Sequence, residues 1–579
     1  MKKVNLICLT ALMGFAVGCS KNDLKNGEPA KSGSLSVSQD ANAALASGPG
    51  DVVGKVVTGY QGWFSASGDG SPNNSWVHWA GNGGAAPNPG HQTFELWPDM
   101  RDYTATYTTG YANLGNGQPA KLFSSWDAQT VNKHFEWMQT YNIDCAALQR
   151  FGKGNAQLDG IATRVRNAAQ TYGRKFYIMY DISGWTNFQS EIKTDWVNDI
   201  VGTLNLTSST AYAKQNGKPV ICIWGIGVEG RPGNVTSWTD VVNYFKNLGL
   251  YVIVGGPRDW RTQTTNLPAF AAANMVMPWA TGTFGDIAGA DNYVSTMAAD
   301  FAYTNSHNMD YQVDVWPGFA WSNWNGGSPN LIPRVHGDFM WRQFANVRNQ
   351  GIPNVYIGMF DEFDEATAIA KAAENSSMKP TNQYFLTLDA DGVAVSSDFY
   401  LRLTQDGGKM VKGTTGLVWS HPTAHTISGS GGYLDHCDAS SGWTSFNTLS
   451  INTSDKKEGT GALQSVGSGM DEFKKTFPAF NSGVSVGSGK IDFWYYVSDV
   501  TKFAAGDQIE IGSGGGPDVS EYNWNLGTVV NGWNHIVKTF STAGVTGGTP
   551  NLNALNWFRI YHAKIASITT RIDAIQVLP

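Results

Sequence analysis

The chain has 579 residues, more than the roughly 250–300 that one hydrophobic core organises, so at least two domains are expected. A hydrophobic content of 41% excludes general disorder, and a net charge of −7 without a basic run excludes an electrostatic footprint for nucleic acid. Charged residues reach only 15%, against 22 Trp and 22 Tyr; this suits a sugar partner, whose flat C–H faces and fixed hydroxyls call for aromatic platforms and neutral polar groups.

At the N-terminus, Lys2 and Lys3 precede an apolar stretch, Val4 to Val17, of signal-peptide length. It is shorter than the roughly 20 residues a spanning helix needs. Ala16-Val17-Gly18-Cys19 reads as a lipobox, so residues 1–18 are expected to leave and Cys19 to carry lipid. An ordinary secretory signal is the alternative. Residues 19–50 are rich in Ser, Ala, Gly and Asn and read as a flexible tether. The expected location is a bacterial membrane, the outer one, on its periplasmic or outer face, held through the lipid alone. Cys145 and Cys222 sit in apolar runs and read as packed thiols, and no CxxC pair suggests zinc or a disulfide framework.

From residue 51 the pattern alternates. Short apolar runs at Val52–Gln61, Ile143–Arg150, Lys175–Asp181, Pro219–Gly225, Tyr251–Gly255, Met275–Trp279, Tyr311–Trp316 and Asn354–Phe360 read as strands. Helical stretches separate them, at Ala128–Tyr141, Gly160–Tyr172, Phe188–Leu204, Trp238–Leu248, Tyr293–Ser306 and Gly337–Gln350. Eight strands alternating with helices predict a (β/α)8 TIM barrel over residues 51–412. A doubly wound sheet would want a Gly-rich phosphate turn after the first strand, and Gly59-Tyr60-Gln61-Gly62 is not one.

In such a barrel the site lies at the C-terminal strand ends. Read there, the candidate substrate-binding residues are Tyr60, Trp63, Asp181, Trp185, Trp224, Trp279, Asp314 and Trp316, with Trp260, Trp321 and Trp324 in the same loops. One strand-end Trp reads as core; six of eight strands carrying one favour a sugar cleft. The eighth strand runs into Asp361-Glu362-Phe363-Asp364-Glu365-Ala366-Thr367, four carboxylates within five positions before an expected helix, Ala366–Ala373. Helix capping would account for one or two. Four crowd one another and favour keeping one protonated near neutrality, as glycosidic cleavage requires of an acid beside a base or nucleophile. In a helical turn Glu362 and Glu365 would share a face. Asp181 and Asp314 remain alternatives as water-activating bases in an inverting reaction.

The segment from Phe360 to Thr367 resembles the Phe-Asn-Glu-Trp-His-Glu-Gly-Thr segment of glycoside hydrolase family 99, the endo-acting α-mannosidases. More widely, residues 52–412 resemble bacterial family 71/99-like proteins, often labelled xylosidase or arabinosidase, through Gly59-Tyr60-Gln61-Gly62-Trp63-Phe64, Tyr180-Asp181-Ile182-Ser183-Gly184-Trp185 and Ser397-Asp398-Phe399-Tyr400-Leu401-Arg402. The resemblance implies a (β/α)8 barrel without metal or other cofactor, Glu365 as general acid/base, and Glu362 as the base that draws the proton from the sugar 2-hydroxyl. It implies a 1,2-anhydro intermediate and net retention. Asp361, Phe363, Asp364 and Ala366 stand where the family has Asn, Trp, His and Gly, so hydrolysis carries over better than mannoside specificity. Asp361 is then a candidate substrate contact.

Residues 413–431 read as a Gly/Ser/Thr/His-rich linker, and 432–579 as short alternating strands of an all-β sandwich. Its texture is similar to carbohydrate-binding jelly rolls, with Trp494, Tyr495, Tyr496, Tyr522 and Trp524 as candidate platforms, half of them expected in the core. Peptidase, kinase and esterase motifs are absent from the sequence. The sequence thus predicts an exported glycoside hydrolase acting on an oligosaccharide or polysaccharide. The alternative is a surface glycan-binding lipoprotein whose barrel has lost catalysis.

Overall fold

The computed structural model describes residues 46–81, 84–152, 155–426 and 432–578. The leader, Cys19 and nearly all of the expected tether lie outside them. Two compact units emerge: residues 46–98, 105–393 and 400–423 form the first, and 99–104, 394–399 and 424 onward the second.

In the first unit eight parallel strands close a barrel: β1 (Val56–Tyr60), β2 (Cys145–Arg150), β3 (Lys175–Asp181), β4 (Lys218–Trp224), β5 (Tyr251–Pro257), β6 (Met275–Trp279), β7 (two segments, Asp310–Tyr311 and Val313–Val315) and β8 (Val355–Ile357). Closure runs through the broken seventh strand. Its first segment pairs with β6, its second with β8, and β8 pairs with β1. Helices follow the strands in turn: α1 (Ala128–Thr140), α2 (Ala156–Thr171), α3 (Phe188–Asp195), α4 (Val235–Asn247), α5 (Leu267–Ala271), α6 (Val294–Ser306), α7 (Asp338–Asn349) and α8 (Phe399–Val411). The single helix expected over Phe188–Leu204 changes character at Trp196, continuing as a π-helix to Thr203.

Inside the barrel Tyr356 of β8 crosses to β3, its hydroxyl 3.6 Å from Met179 Sδ and 3.4 Å from Met359 Sδ. Gly59 makes room for it: a Cβ there would overlap the Tyr356 hydroxyl and Met359 Sδ. On the outside, buried Arg150 makes two 2.6 Å hydrogen bonds to Asp195 and an ion pair to Asp159, tying β2 to α3 and α2. Cys145, Cys222 and Cys437 are buried free thiols.

The expected helix Ala366–Ala373 does not form. Thr367 and Ala368 both donate to the Glu362 carbonyl, and Ile369 and Ala370 to those of Met359 and Phe360, so the chain doubles back on itself. Ala368, Ile369, Ala370, Ala372 and Ala373 are all buried, and within the segment Lys371 alone is partly exposed. Part of the expected linker is also structured. Val418 accepts from Trp341 Nε1 at 3.1 Å and Thr423 donates to Asp406 at 2.8 Å, within the first unit.

The second unit is an antiparallel sandwich built on two long strands, β12 (Ala462–Phe480) and β18 (Leu555–Leu578). Before them lie β9 (Gly432–Asp435), β10 (Trp443–Thr444) and β11 (Thr448–Asn452); between them lie β13 (Lys490–Val497), β14 (Phe503–Gly512), β15 (Glu521–Asn525), β16 (Gly532–Thr539) and β17 (Gly544–Thr546). The register of β12 against β18 breaks between Gly467 and Gly469. On one side of that break β18 pairs with β14, on the other with β13, so each long strand serves both layers. Ile491, Phe493, Tyr495, Ile509, Ile511, Tyr522, Trp524, Phe558 and Ile560 fill the space between.

Candidate active site

The turn after β8 is gripped from several sides. Asp361 is fully buried, its two oxygens accepting from Gln61 N at 2.7 Å and Gly62 N at 2.9 Å. That pins the turn to the end of β1, where Gly62 adopts φ +61°, and it makes Asp361 a backbone clamp rather than a substrate contact. The Gln61 amide then donates to Glu362 Oε2 at 2.9 Å, and the Asp364 N–H donates to Oε1 at 3.0 Å. Arg334 donates to the carbonyls of Ala366 and Ala368 at 2.9 and 2.7 Å, holding the returning strand. Glu362 and Glu365 therefore lie on a tight turn with Ala366 at φ +53°, not on one face of a helix.

Desolvation dominates the electrostatics. Burial, and then the charges of Asp364, Glu365 and Asp361, raise the Glu362 pKa well above the ordinary carboxylate range. Burial and the neighbouring Glu365 and Asp361 do the same to Asp364, and burial brings Glu365 to about 7 and Asp361 to about 6. Such a set takes up protons as a group. Both Glu362 oxygens already accept N–H donors, and Asp364 Oδ2 faces His78 Nδ1 at 2.7 Å. Glu365 is partly exposed and makes no side-chain hydrogen bond among the described residues, so its carboxyl is free to hold a proton and to present it.

The chain is similar to solved glycoside hydrolases. No family model and no curated protein matches it. Among solved structures, it is similar to the GH99 endo-alpha-mannosidase from Bacteroides thetaiotaomicron at 15% identity, covering 62% of this chain and 98% of that one, with a TM-score of 0.47. A glycoside hydrolase-like protein follows at 14% identity, 57% and 98% coverage and a TM-score of 0.37. A family 11 carbohydrate-binding module from Clostridium thermocellum, in complex with a β-1,3-1,4-mixed-linked tetrasaccharide, shares 16% identity over 26% of this chain and 95% of its own, at a TM-score of 0.21.

The strand-end residues separate into core and mouth. Tyr60 and Trp316 are fully buried, Tyr60 against His134 of α1 at 2.9 Å and Trp316 against Phe284 and Phe339; both belong to the core, not to a sugar surface. Trp260 is likewise buried, donating to Asp300. Trp185 is nearly buried and donates to the Asp181 carbonyl at 2.8 Å, while Asp181 is turned to Ser183. Asp314 accepts from Ala280 N, Thr281 N and the Thr281 hydroxyl through one oxygen, fixing the loop after β6, and burial raises its pKa to about 6. Trp63, Trp224 and Trp279 remain partly open. Trp63 lies between His78 at 3.7 Å and Phe151 at 5.2 Å, and Trp224 meets Trp279 edge-on at 5.4 Å. Among the described residues, the indole nitrogens of Trp63 and Trp224, Gln61 Oε1 and Asp364 Oδ1 are buried without a hydrogen-bond partner.

Two residues of the site were not found from the sequence: His78 and Glu95, both from the long segment between β1 and α1. Each sits in an apolar run, Trp76-Val77-His78-Trp79 and Phe94-Glu95-Leu96-Trp97, and a polar residue in such a run is the signal that could have found it. In the sandwich, Tyr495, Tyr522 and Trp524 are core. Trp494 is half-buried, with His535 stacked at 4.6 Å and Lys457 Nζ 4.2 Å from its ring centroid.

Proposed function

We propose that this protein is a glycoside hydrolase that cleaves an oligosaccharide or polysaccharide by carboxylate acid/base chemistry. The observation that carries the reading is the turn after β8, where the Glu365 carboxyl is partly exposed, without a hydrogen-bond partner among the described residues and near neutral in pKa, while Glu362 is held by two N–H donors. Glu365 gives its proton to the glycosidic oxygen as the C1–O bond breaks. Glu362, in its ionised form and held by the Gln61 and Asp364 N–H donors, takes the proton of the 2-hydroxyl, and O2 closes on C1 to give a 1,2-anhydro sugar beside the released alcohol. Water then attacks C1 and returns a proton to Glu365, while O2 recovers its proton from Glu362, so the starting configuration is retained. Lipid anchoring through Cys19 belongs to the same proposal, and Cys19→Ala should move the protein from the membrane to the soluble fraction; retention in the membrane would refute that part.

The test is turnover on a glycan panel read by reducing ends. Glu365→Gln should lower the rate by about 10²–10⁴-fold, and by less for an aryl glycoside whose leaving group needs little protonation. Glu362→Gln should lose activity on both. Near-native rates in both variants would sink the assignment, and binding without product in the native protein would favour a glycan-binding role.

A further inference from the structure

We propose that the loop after β7 forms the leaving-group subsite, with Trp324 stacking on the sugar unit whose oxygen Glu365 protonates, so that the bond cleaved joins two sugars. This rests on the hydrolase reading above. Trp324 is 39% exposed, and its one ring neighbour among the described residues is Trp321, perpendicular at 5.6 Å and 88°. It differs in this from Trp63, which stacks with His78 and Phe151, and from Trp494, which stacks with His535 and has Lys457 over its ring. Trp321 is braced in turn by Phe319 at 5.0 Å.

The loop that presents Trp324 is fixed, and fixed to the catalytic turn. Glu95, with no exposed surface, accepts from the Ser322 hydroxyl at 2.7 Å and from Asn323 N at 2.8 Å. The Asn323 amide donates to the carbonyls of Phe94 and Tyr384, both at 3.0 Å. The same Glu95 donates its own N–H to the carbonyl of Phe363, between the two glutamates, at 2.9 Å. Ala320, next to Trp321, donates to the Glu365 carbonyl at 3.0 Å. Burying a carboxylate is costly unless its hydrogen bonds are met, and here they are met by the tryptophan loop. Glu95 is thus a positioning residue that sets the loop and the catalytic turn in one register. A general acid stands beside the leaving oxygen, so an open indole registered on that acid meets the ring carrying this oxygen.

The probes are five-unit oligosaccharides of glucose, mannose, xylose and arabinose, and the glycosyl fluoride of whichever sugar is cleaved, whose single-atom leaving group needs no subsite. Trp324→Ala should lower kcat/KM on the oligosaccharide by about 10–100-fold, through KM more than kcat, and by at least tenfold less on the fluoride. Glu95→Gln should show the same split. Equal losses on both substrates, or none on either, overturn the subsite. Calorimetric binding of the same oligosaccharides separates the two proposals. Binding without cleavage in the native protein, weakened by Trp324→Ala, removes the hydrolase reading and keeps the stacking site; binding that Trp324→Ala leaves unchanged removes the stacking site whatever the turnover.

Discussion

Glu365 carries opposite consequences for activity and for stability. Its carboxyl stands near 7 in the folded protein against an ordinary 4.5, raised by burial. Between those values the folded state holds a proton that the unfolded chain has released, so stability is fully present below about pH 4.5 and falls as pH rises through 7. Glu365→Gln removes the ionising group. Urea unfolding should therefore show the variant more stable than the parent at pH 8, by on the order of 1–2 kcal/mol, and equal to it at pH 4. The same titration sets the alkaline limb of kcat/KM near pH 7, since only the protonated form is an acid. On an aryl glycoside that limb should vanish in the variant; a limb that persists would assign the titration to another group. The four carboxylates could be read from the sequence because their spacing is local. That Asp361 clamps backbone could not be, because its partners Gln61 and Gly62 are distant in the chain.

The strands were legible because a barrel strand, buried on both faces, is a short apolar run bounded by turn residues. The expected helix at Ala366–Ala373 failed for a reason outside local propensity. Its alanines favour helix, but Arg334 and the end of β8 claim its backbone groups first. The pairing that closes the barrel through a broken β7 was hidden too, since Gln312 interrupts the strand without a turn residue. Gly59 tests how tightly the elements are fitted. Lying mid-strand, it has no turn to make, and its role is the space it leaves for Tyr356 and Met359. Gly59→Ala should destabilise by about 1–3 kcal/mol through overpacking, read as a lower midpoint in denaturant with an unchanged slope. A midpoint equal to the parent's would mean the barrel interior yields without cost.

At the scale of the whole chain, the described residues divide into two compact units, and their division differs from the one that length and texture suggest. A Gly/Ser/Thr/His-rich stretch reads as linker, yet residues up to 423 belong to the first unit. Trp341 Nε1 donates to Val418, Arg342 lies over Trp419 at 5.2 Å, and Thr423 donates to Asp406. Two segments earlier in the chain, 99–104 and 394–399, cluster instead with the second unit, where Ser396 N donates to the His425 carbonyl at 2.9 Å. A fragment of residues 51–412 loses all of these partners. One ending at 423 regains those on α7 and α8, and one ending at 426 regains His425 as well. Thermal midpoints should rise in that order. The first step is worth about 1–3 kcal/mol for two side-chain hydrogen bonds and the restored cover over Trp341. For a unit of this size each kcal/mol moves the midpoint by about 1–2 °C. The second step, one backbone hydrogen bond and the contact of Phe399 with His425, should be smaller. If the three fragments melt together, residues 413–426 are the linker their composition suggests, and the barrel ends where α8 does.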